Sequence, residues 1–323
     1  MRNRRAGRTT GVPHLRQRLR RHPHPRPGRS SGTGTRTRSR AALLLTAVLL
    51  LLPAGPAGCS GPGARPPADG SAPGAGSRAP SAATGGEEGA GHWRPEPGTP
   101  WQWQLSGRVD TSVDVPVYDI DGFENDAETV ARLHADGRKV ICYINAGAWE
   151  DFRPDRDDFP RAVRGRGNGW PGERWLDIRR TAVLRPLMAR RMDMCRDKGF
   201  DAVEPDLMDG YLNRTGFPLT ARHQLAYNRM LAELAHERGL AVGLKNDLPQ
   251  IPELVGSFDF AVNEECAEFG ECAALTPFVE QDKAVFHAEY ALDPDDYCAE
   301  SRRLRLSSLR KNLSLDAWLR PCP

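Results

Sequence analysis

Acidic side chains are concentrated in the stretch 201–211 of this 323-residue chain, whose sequence is DAVEPDLMDGY. The stretch begins as a buried strand. Because side chains alternate along a strand, Glu204 and Asp206 are predicted to share one face, and Val203 and Pro205 the other. Carboxylates are costly in a core and useful in a site, so this strand end is a candidate for acid–base chemistry or for cation binding.

Polar side chains follow six other predicted strands in the same way. One such strand end is typical of a solvated turn, but seven at one edge indicate a functional site. In a closed parallel barrel this edge is the carboxyl-terminal rim, where functional groups lie. The residues concerned are Gln104; Asp119 and Asp121; Tyr143 and Asn145; Glu204, Asp206 and Asp209; Lys245 and Asn246; Asn263, Glu264 and Glu265; and Glu289 and Tyr290.

The types of these residues narrow the chemistry. A nucleophilic triad needs Ser or Cys beside His, and the one strand-end histidine, His287, has no Ser nearby in the sequence. Zinc prefers His and Cys ligands, which this edge lacks. A magnesium or calcium site built from carboxylates stays open as an alternative, with Asp119, Asp121, Glu204 and Asp206 as oxygen donors. Paired acids among aromatic and amide groups favour glycoside hydrolysis, for which we expect no cofactor and no metal.

Alternating strands and helices are predicted to position these residues. Helices are expected from the cap Asn125 or Asp126 to His134, over 183–198, after the cap Thr220, and near 251–255 and 277–281. The stretch 146–177 reads as a long loop. The predicted strands are 101–105, 115–120, 139–145, 201–206, 241–245, 258–263, 284–289 and 305–309.

Eight strands interleaved with helices predict an α/β fold of the (β/α)8 TIM-like barrel class, with a single catalytic domain over 93–323. An open nucleotide-binding sheet would carry a glycine-rich phosphate loop after its first strand. The chain contains neither GxGxxG nor GxxxxGK[ST].

The first 92 residues differ in composition from the rest. Residues 1–59 form a basic leader with a 12-residue apolar run, 41–52, which is typical of a signal peptide. The run ends before Ala57-Gly58-Cys59, a small-small-Cys ending that makes Cys59 a lipidation candidate. Residues 60–92, rich in Gly, Pro, Ala and Ser, are predicted to form a flexible tether. We therefore expect an exported protein, either secreted or attached to the outer face of the membrane through Cys59.

The net charge of +3 hides an asymmetry. Residues 1–40 contain 13 Arg and no Asp or Glu, so removing their charge leaves −10 for residues 41–323. An acidic domain behind a basic leader is not expected to bind nucleic acid. We expect a monomer.

Cysteine usage agrees with export. Besides Cys59 there are six cysteines, which permit fifteen pairings. Proximity in the chain favours Cys266–Cys272 and Cys298–Cys322. Cys142 then remains for Cys195. Tyr143 and Asn145 are predicted to face the barrel interior, so Cys142 would face the covering helix that carries Cys195.

Several segments resemble glycoside hydrolase family 114, the endo-α-1,4-polygalactosaminidases. The resemblance covers roughly 101–290. The similar segments are WQWQLSGRVDTSVDVPVYDIDGF, CYINAGAWEDFRPD, WPGERWLDIR, KGFDAVEPDLMDGY, GFPLTARHQLAYNRMLAELAHERGLAVGLKND, FDFAVNEEC and VFHAEY.

The resemblance implies a TIM-like barrel and retaining hydrolysis of α-1,4-linked galactosamine polymers. It makes Asp206 the probable nucleophile and Glu264 the acid/base. Both would end alternate strands, the fourth and the sixth, which feed one interior layer of a barrel. The expected substrate-binding residues are Gln104, Asp119, Asp121, Tyr143, Asn145, Glu204, Asp209, Tyr211, Lys245, Asn246, Asn263, Glu289 and Tyr290.

Alternative functions remain open at this stage. One is a carbohydrate-binding barrel without turnover, and another is a metal-dependent hydrolase on the same acidic rim. The stereochemical outcome would follow from the separation of the two carboxyl groups, about 5–5.5 Å for retention and about 6.5–9.5 Å for inversion.

Overall fold

The computed structural model describes residues 92–323. The expected leader, the tether up to residue 91 and the lipidation candidate Cys59 lie outside the described residues.

Eight parallel strands and one antiparallel strand form the main sheet, in the order β1-β2-β3-β7-β8-β9-β10-β11-β12. A second, three-stranded sheet has the order β4-β6-β5. The strands are β1 Trp101–Gln104, β2 Val117–Asp121, β3 Lys139–Asn145, β4 Ala148–Glu150, β5 Arg164–Gly167, β6 Glu173–Leu176, β7 Ala202–Asp206, β8 Ala241–Lys245, β9 Phe260–Glu264, β10 Val285–Glu289, β11 Ser307–Lys311 and β12 Leu319–Pro321.

Helices follow most of the parallel strands and cover the outside of the sheet. The helices are α1 Ala127–Ala135, α2 Thr181–Asp197, α3 Ala221–His236, α4 Ile251–Leu254, α5 Thr276–Val279 and α6 Pro294–Arg303. Side chains cap the two helices as the sequence predicts, Asp126 at α1 and Thr220 at α3. None of the helices between residues 92 and 323 is both long and apolar enough to cross a bilayer.

The sheet curls into a nearly closed barrel, which confirms the predicted (β/α)8 TIM-like class. The barrel closes where the last parallel strand, β11, meets the first, β1. The C-terminal segment, residues 312–323, contacts β1 beside this seam. Trp101 Nε1 donates to the Ser307 carbonyl at 2.8 Å, and Lys311 Nζ donates to Gln102 Oε1 at 2.9 Å. These contacts lie at the seam between β1 and β11.

The interior faces of β3, β7 and β9 change from apolar to polar along the strand. Ile141 on β3, Ala202 on β7 and Phe260 on β9 belong to an apolar cluster inside the barrel. Four residues further on, the same faces carry the polar side chains Asn145, Asp206 and Glu264, because alternate residues of a strand share one face. The apolar cluster therefore fills one end of the barrel, and the polar side chains converge at the other.

One glycine in this interior makes room for an aromatic ring. A Cβ on Gly243 of β8 would lie 2.3 Å from Phe260 Cε2, so a larger residue would displace the Phe260 ring. The next interior residue of β8 is Lys245. The Phe260 ring therefore packs in the barrel interior next to the position from which Lys245 extends.

All three predicted disulfides are confirmed: Cys142–Cys195, Cys266–Cys272 and Cys298–Cys322. The first joins β3 to its covering helix α2 across a Cα–Cα distance of 6.0 Å. The prediction succeeded because strand alternation places Cys142 on the outer face of β3.

Three features differ from the sequence-based prediction. The stretch 146–177, expected to be a loop, contains the second sheet β4-β6-β5, whose strands are too short to give a period-two pattern. Helix α6 and strand β12 were not predicted. The last parallel strand is Ser307–Lys311 instead of 305–309, because Arg305 has a positive φ of 58° and turns the chain before the strand begins.

Candidate active site

Lys245 lies at the centre of the polar end of the barrel. Its Nζ atom is 2.9 Å from Asp206 Oδ1, 3.1 Å from Glu204 Oε1 and 3.3 Å from Glu264 Oε2. These carboxylates come from the fourth and sixth parallel strands, β7 and β9, and the lysine comes from the fifth, β8, between them. The ammonium group is therefore shared by acids of both neighbouring strands.

The positions of Asp206 and Glu264 relative to this ammonium limit their separation. The distance between Asp206 Oδ1 and Glu264 Oε2 cannot exceed the sum of their distances to Lys245 Nζ, which are 2.9 Å and 3.3 Å. That limit is below the separation of about 6.5 Å at which the inverting range begins. Both carboxylates also keep some exposure, 17% for the Asp206 side chain and 28% for Glu264, whereas Lys245 is 2% exposed.

Hydrogen bonds hold each of these two carboxylates in place. Asp206 Oδ2 accepts from the Tyr143 hydroxyl at 2.9 Å, and Asp206 Oδ1 accepts from the backbone N–H of Leu207 at 2.7 Å. Glu264 Oε1 accepts a short hydrogen bond from the Tyr290 hydroxyl. The geometry of both acids is thus fixed before any ligand arrives.

The two tyrosines act as neutral donors. Burial, reinforced by the charge of Asp206, raises the pKa of Tyr143 well above its ordinary value. Burial and the charge of Glu264 do the same to the pKa of Tyr290. Each hydroxyl therefore keeps its proton at any ordinary pH and donates a hydrogen bond to the neighbouring carboxylate.

A second pair of acids, Asp119 and Glu204, lies beneath Lys245 and is completely buried. Burial and the charge of Glu204 raise the pKa of Asp119 well above its ordinary value, which favours the protonated form. Burial also raises the pKa of Glu204, although the positive charge of Lys245 opposes the shift. Glu204 Oε2 accepts from Trp103 Nε1 at 3.2 Å, so the pair supports the floor of the site.

Lys245 remains charged despite its burial. Desolvation alone would lower the pKa of Lys245, but the negative charges of Asp206, Glu264 and Glu204 raise it well above the ordinary value. The Nζ atom also lies 4.8 Å from the centre of the Trp103 ring, whose face attracts a cation. A permanent positive charge therefore sits between the two partly exposed carboxylates.

A cleft of about 500 Å³ opens above these groups. The second sheet forms one wall and contributes Trp170, Glu173 and Trp175. The C-terminal segment forms another wall with Leu313 and Leu315. Sequence-predicted site residues that line the cleft are Asp121, Tyr143, Asp206, Asp209, Lys245, Asn246, Glu264 and Tyr290.

Asp121 lines the cleft but is committed to an arginine. Arg153 donates to both carboxylate oxygens of Asp121, at 3.0 Å and 2.6 Å, and to Glu150 at 2.8 Å. Arg191 pairs with Glu150 and with both oxygens of Asp155. This arginine network (Asp121, Glu150, Arg153, Asp155, Arg191) joins the stretch after β3 to the barrel.

Three other predicted binding residues hold loops in place. Gln104 donates to the carbonyls of Ser106 and Arg108, and Asn263 donates to Asn246 Oδ1 at 3.1 Å. Glu289 is completely buried, and its Oε1 accepts from the backbone N–H of Ala267 at 2.8 Å. These contacts fix the rim around the cleft.

Asn145, Asp209 and Tyr211 are closer to the cleft. Asn145 donates to Glu173 Oε2 at 3.2 Å. Asp209 lines the cleft, and burial together with the charge of Asp206 raises its pKa to about 6. Burial and the negative charge of Asp247 raise the pKa of Tyr211.

Glu173 and Asp247 were missed by the sequence reading. Glu173 lies on β6, which was interpreted as loop, although the adjacent WPGERW motif carried the signal. Asp247 comes two residues after Lys245, in a left-handed turn with φ of 48°. Its Oδ2 accepts from Asn228 Nδ2 at 2.9 Å, and burial together with the charge of Asp209 raises the pKa of Asp247 to about 8.

Two groups within residues 92–323 have the donor spacing of a metal site, and neither includes a carboxylate of the cleft. One contains Cys266, Cys272 and His287, whose two cysteines form a disulfide. The other contains His92, His236 and Asp259. His236 and Asp259 lie just before β8 and β9, at the end of the barrel opposite the cleft. In the cleft itself, the Lys245 ammonium group occupies the position between Glu204, Asp206 and Glu264 that a metal ion bound by these carboxylates would occupy.

Comparisons with known proteins give one family. The model of glycoside-hydrolase family GH114 matches residues 82–323. The crystal structure of Ega3 from Aspergillus fumigatus, in complex with galactosamine, is 39% identical with a TM-score of 0.68. The alignment covers 73% of this chain and 100% of Ega3. A search of curated proteins found no match.

A more distant structure shares the fold. The glycoside hydrolase domain of PelA from Pseudomonas aeruginosa aligns with a TM-score of 0.56 at 14% identity. The alignment covers 68% of this chain and 97% of that domain.

Proposed function

The chain belongs to glycoside-hydrolase family GH114, and we propose that it is an exported endo-glycosidase that hydrolyses α-1,4-linked, galactosamine-containing polysaccharide. In this proposal Asp206 is the nucleophile and Glu264 is the acid/base. The observation that carries it is the shared contact of both carboxylates with Lys245, which keeps them within reach of one sugar unit.

Asp206 suits the nucleophile because hydrogen bonds fix its carboxylate. It accepts hydrogen bonds from the Lys245 ammonium, the Tyr143 hydroxyl and the Leu207 amide. Three donors from three segments leave the carboxylate little freedom to rotate. Such preorganisation lowers the barrier for an in-line attack, because the geometry is established before the sugar binds.

Glu264 suits the acid/base because it is the more exposed of the pair and can exchange its proton with water. Tyr290 donates to Glu264 Oε1, which orients the group, while Oε2 lies towards Lys245. When Asp206 becomes esterified, Lys245 loses the charge of its closest partner, and its interaction with Glu264 strengthens. This contact holds Glu264 in place for the second step, when it must act as a base.

The reaction then proceeds in two displacements. Asp206 forms a bond to the anomeric carbon while the bond from that carbon to the leaving oxygen breaks, and Glu264 gives its proton to that oxygen. In the second step Glu264 takes a proton from water, and the water oxygen bonds to the anomeric carbon as the bond to Asp206 breaks. The configuration is retained, as the short separation of the two carboxylates favours.

The charge of the cleft supports a cationic substrate. Seven acidic residues line it, against Arg153 and Lys245 as the basic ones. De-acetylated galactosamine is positively charged, and a narrow acidic cleft attracts cations. The complex of Ega3 with galactosamine supports the same sugar for this chain.

Export is proposed from the leader and the cysteines. We propose residues 1–59 as the basic leader and signal segment, 60–92 as the tether and 93–323 as the catalytic domain. Attachment to the outer face of the membrane through Cys59 is part of this proposal. Three disulfides support an oxidising destination, because cytosolic thiols are kept reduced. We propose a monomer.

The test is incubation of the purified protein with partly de-acetylated α-1,4-galactosaminogalactan, followed by mass spectrometry of the products. We expect a ladder of oligosaccharides that contain galactosamine, each with a new reducing end. Binding of the polymer without release of products would instead indicate a carbohydrate-binding barrel. Loss of activity with a chelator, restored by magnesium, would indicate the metal-dependent alternative.

A further inference from the structure

The acids that line the cleft differ in whether a cation neutralises them. Asp121, Glu124 and Glu150 contact Arg153, while Asp206 and Glu264 contact Lys245. Within residues 92–323, the other two cleft acids, Glu173 and Asp209, form no salt bridge. A buried carboxylate without a cationic partner is costly unless a ligand supplies one.

Glu173 is held in one orientation by two amides. Its Oε2 accepts from Asn168 Nδ2 at 2.7 Å and from Asn145 Nδ2 at 3.2 Å. Asn145 is itself fixed, because its Oδ1 accepts from the backbone N–H of Ala148 at 2.8 Å. Both amide donors reach the same oxygen, so Oε1 is the atom left for a ligand in the cleft.

Glu173 lies near the proposed nucleophile, because it accepts from Asn145, which is the cross-strand neighbour of Asp206. The residue lies on β6, in the wall of the cleft, close enough to Asp206 for the charge of Asp206 to raise the pKa of Glu173. Trp170 and Trp175 flank it in the same wall, and Trp170 is 47% exposed. An aromatic face beside a carboxylate suits an amino sugar, which has an apolar ring face and a charged substituent.

Because burial raises the pKa of Glu173, a bound ligand can change its protonation state. Desolvation is the main cause that raises the pKa of Glu173 to about 7, and the two amides oppose it. The side chain is thus neutral in part of the molecules near neutral pH. An ammonium group at Oε1 would favour the ionised form.

We propose that Glu173 is a specificity-determining residue that binds the ammonium group of a 2-amino sugar through Oε1, so that the cleft selects free amines over N-acetylated units. The inference rests on the proposed function and adds the residue that distinguishes the two forms of the substrate. An N-acetyl group carries no charge and adds bulk, so it gains nothing from this carboxylate and must displace the groups around it.

The experiment compares Glu173→Gln with wild type on a de-acetylated α-1,4-galactosamine oligosaccharide and on the same oligosaccharide after N-acetylation. Wild type is expected to prefer the amine in kcat/KM. Glu173→Gln should lower kcat/KM for the amine by roughly ten-fold to a hundred-fold, the range of one charge-assisted hydrogen bond, and leave the N-acetylated form unchanged. Glu173→Asp, which keeps the charge, should restore part of the preference.

The matched control is Glu124→Gln, which removes an equal charge from the same cleft at an acid that contacts Arg153 and is 72% exposed. Its selectivity ratio should stay within about two-fold of wild type, since exposed charges interact weakly. An equal loss on both substrates in Glu173→Gln, or the same loss of selectivity in Glu124→Gln, would overturn the inference.

Equilibrium binding of both oligosaccharides, measured in parallel, separates this inference from the proposed function. If wild type cleaves neither oligosaccharide but binds the amine in a way that depends on Glu173, the hydrolase proposal fails and the inference stands. If cleavage occurs with no preference for the amine, the inference alone fails. The amine preference of wild type should also weaken as the pH falls through about 7, and Glu173→Gln should lack this change.

Discussion

Two groups of charged residues occupy the same end of the barrel and differ in how their charges are matched. In the cluster around Lys245, one ammonium serves Glu204, Asp206 and Glu264. In the arginine network, two guanidinium groups serve Asp121, Glu150 and Asp155, and each of these acids is contacted through both oxygens. Both groups would look alike in the sequence, as acids that follow strands.

The difference teaches which acids are available for chemistry. A planar guanidinium holds a carboxylate through two parallel hydrogen bonds, which uses up its oxygens and favours structure. A single ammonium shared by several acids leaves lone pairs and partial exposure, as at Asp206 and Glu264. We therefore expect the Lys245 cluster to control rate and the arginine network to control stability.

The largest expected effect is that of Asp206→Asn. The substitution keeps the shape and most hydrogen bonds but removes the nucleophile, so kcat should fall by roughly 10⁴-fold or more. Thermal unfolding should change little in comparison. Substantial residual kcat with unchanged product stereochemistry would assign the nucleophile to another acid of the cleft.

Glu264→Gln should be the next most severe change. Loss of a general acid/base typically costs about 10²–10⁴-fold in rate. The loss should be much smaller for an aryl glycoside of galactosamine, whose leaving group needs no proton in the first step. The measurement is kcat/KM for both substrates, which reports the first step. An identical loss for polymer and aryl glycoside would contradict the acid/base role.

The arginine network is tested by Arg191→Met. Arg191 is 1% exposed, and its removal leaves Glu150 and Asp155 without this partner. Breaking a buried pair costs about 3–5 kcal/mol, so the melting temperature should fall by about 10 °C. The activity of the folded protein, measured well below the transition, should stay far above that of Asp206→Asn.

Arg190→Met is the matched control for this test. Arg190 is the next residue on α2 and pairs with Asp158, but both side chains are more than half exposed. A surface pair contributes only about 0–1 kcal/mol. Equal melting temperatures for the two variants would remove the proposed contrast between buried network and surface pair.

The last prediction extends the comparison to an acid, Asp247, that has no cationic partner within the described residues. Burial raises the pKa of Asp247 to about 8, against about 3.9 in an unfolded chain. A raised pKa means that this site's contribution to stability is fully present below about pH 4 and is lost as the pH rises through 8. Asp247→Asn removes that loss.

The stability of Asp247→Asn relative to wild type should therefore grow between pH 4 and pH 8, by at most about 1.4 kcal/mol per pH unit, and level off above. Denaturant unfolding at several pH values measures the difference. Asparagine also tolerates the left-handed turn at this position. A difference that stays constant over this pH range would show that Asp247 is not protonated in the folded protein.

The sequence by itself determined the barrel class, the disulfides and the strands that deliver Asp206 and Glu264. Strand alternation was sufficient because it is a local rule. It places Cys142 and Asn145 on opposite faces of β3, so a polar interior end for Asn145 puts Cys142 on the outer face. It also separated Glu264, on the interior face of β9, from Glu265, which follows the strand with a positive φ of 62°.

Only the tertiary structure decided what partner each acid has. Asp121 and Asp206 are both acids near strand ends, yet one meets Arg153 from the stretch after β3 and the other meets Lys245 from the adjacent strand. Glu173 entered the site because short strands folded the stretch 146–177 back over the rim. Such partners come from distant parts of the chain, and the charge and exposure of an acid depend on them, so no local pattern can reveal its role.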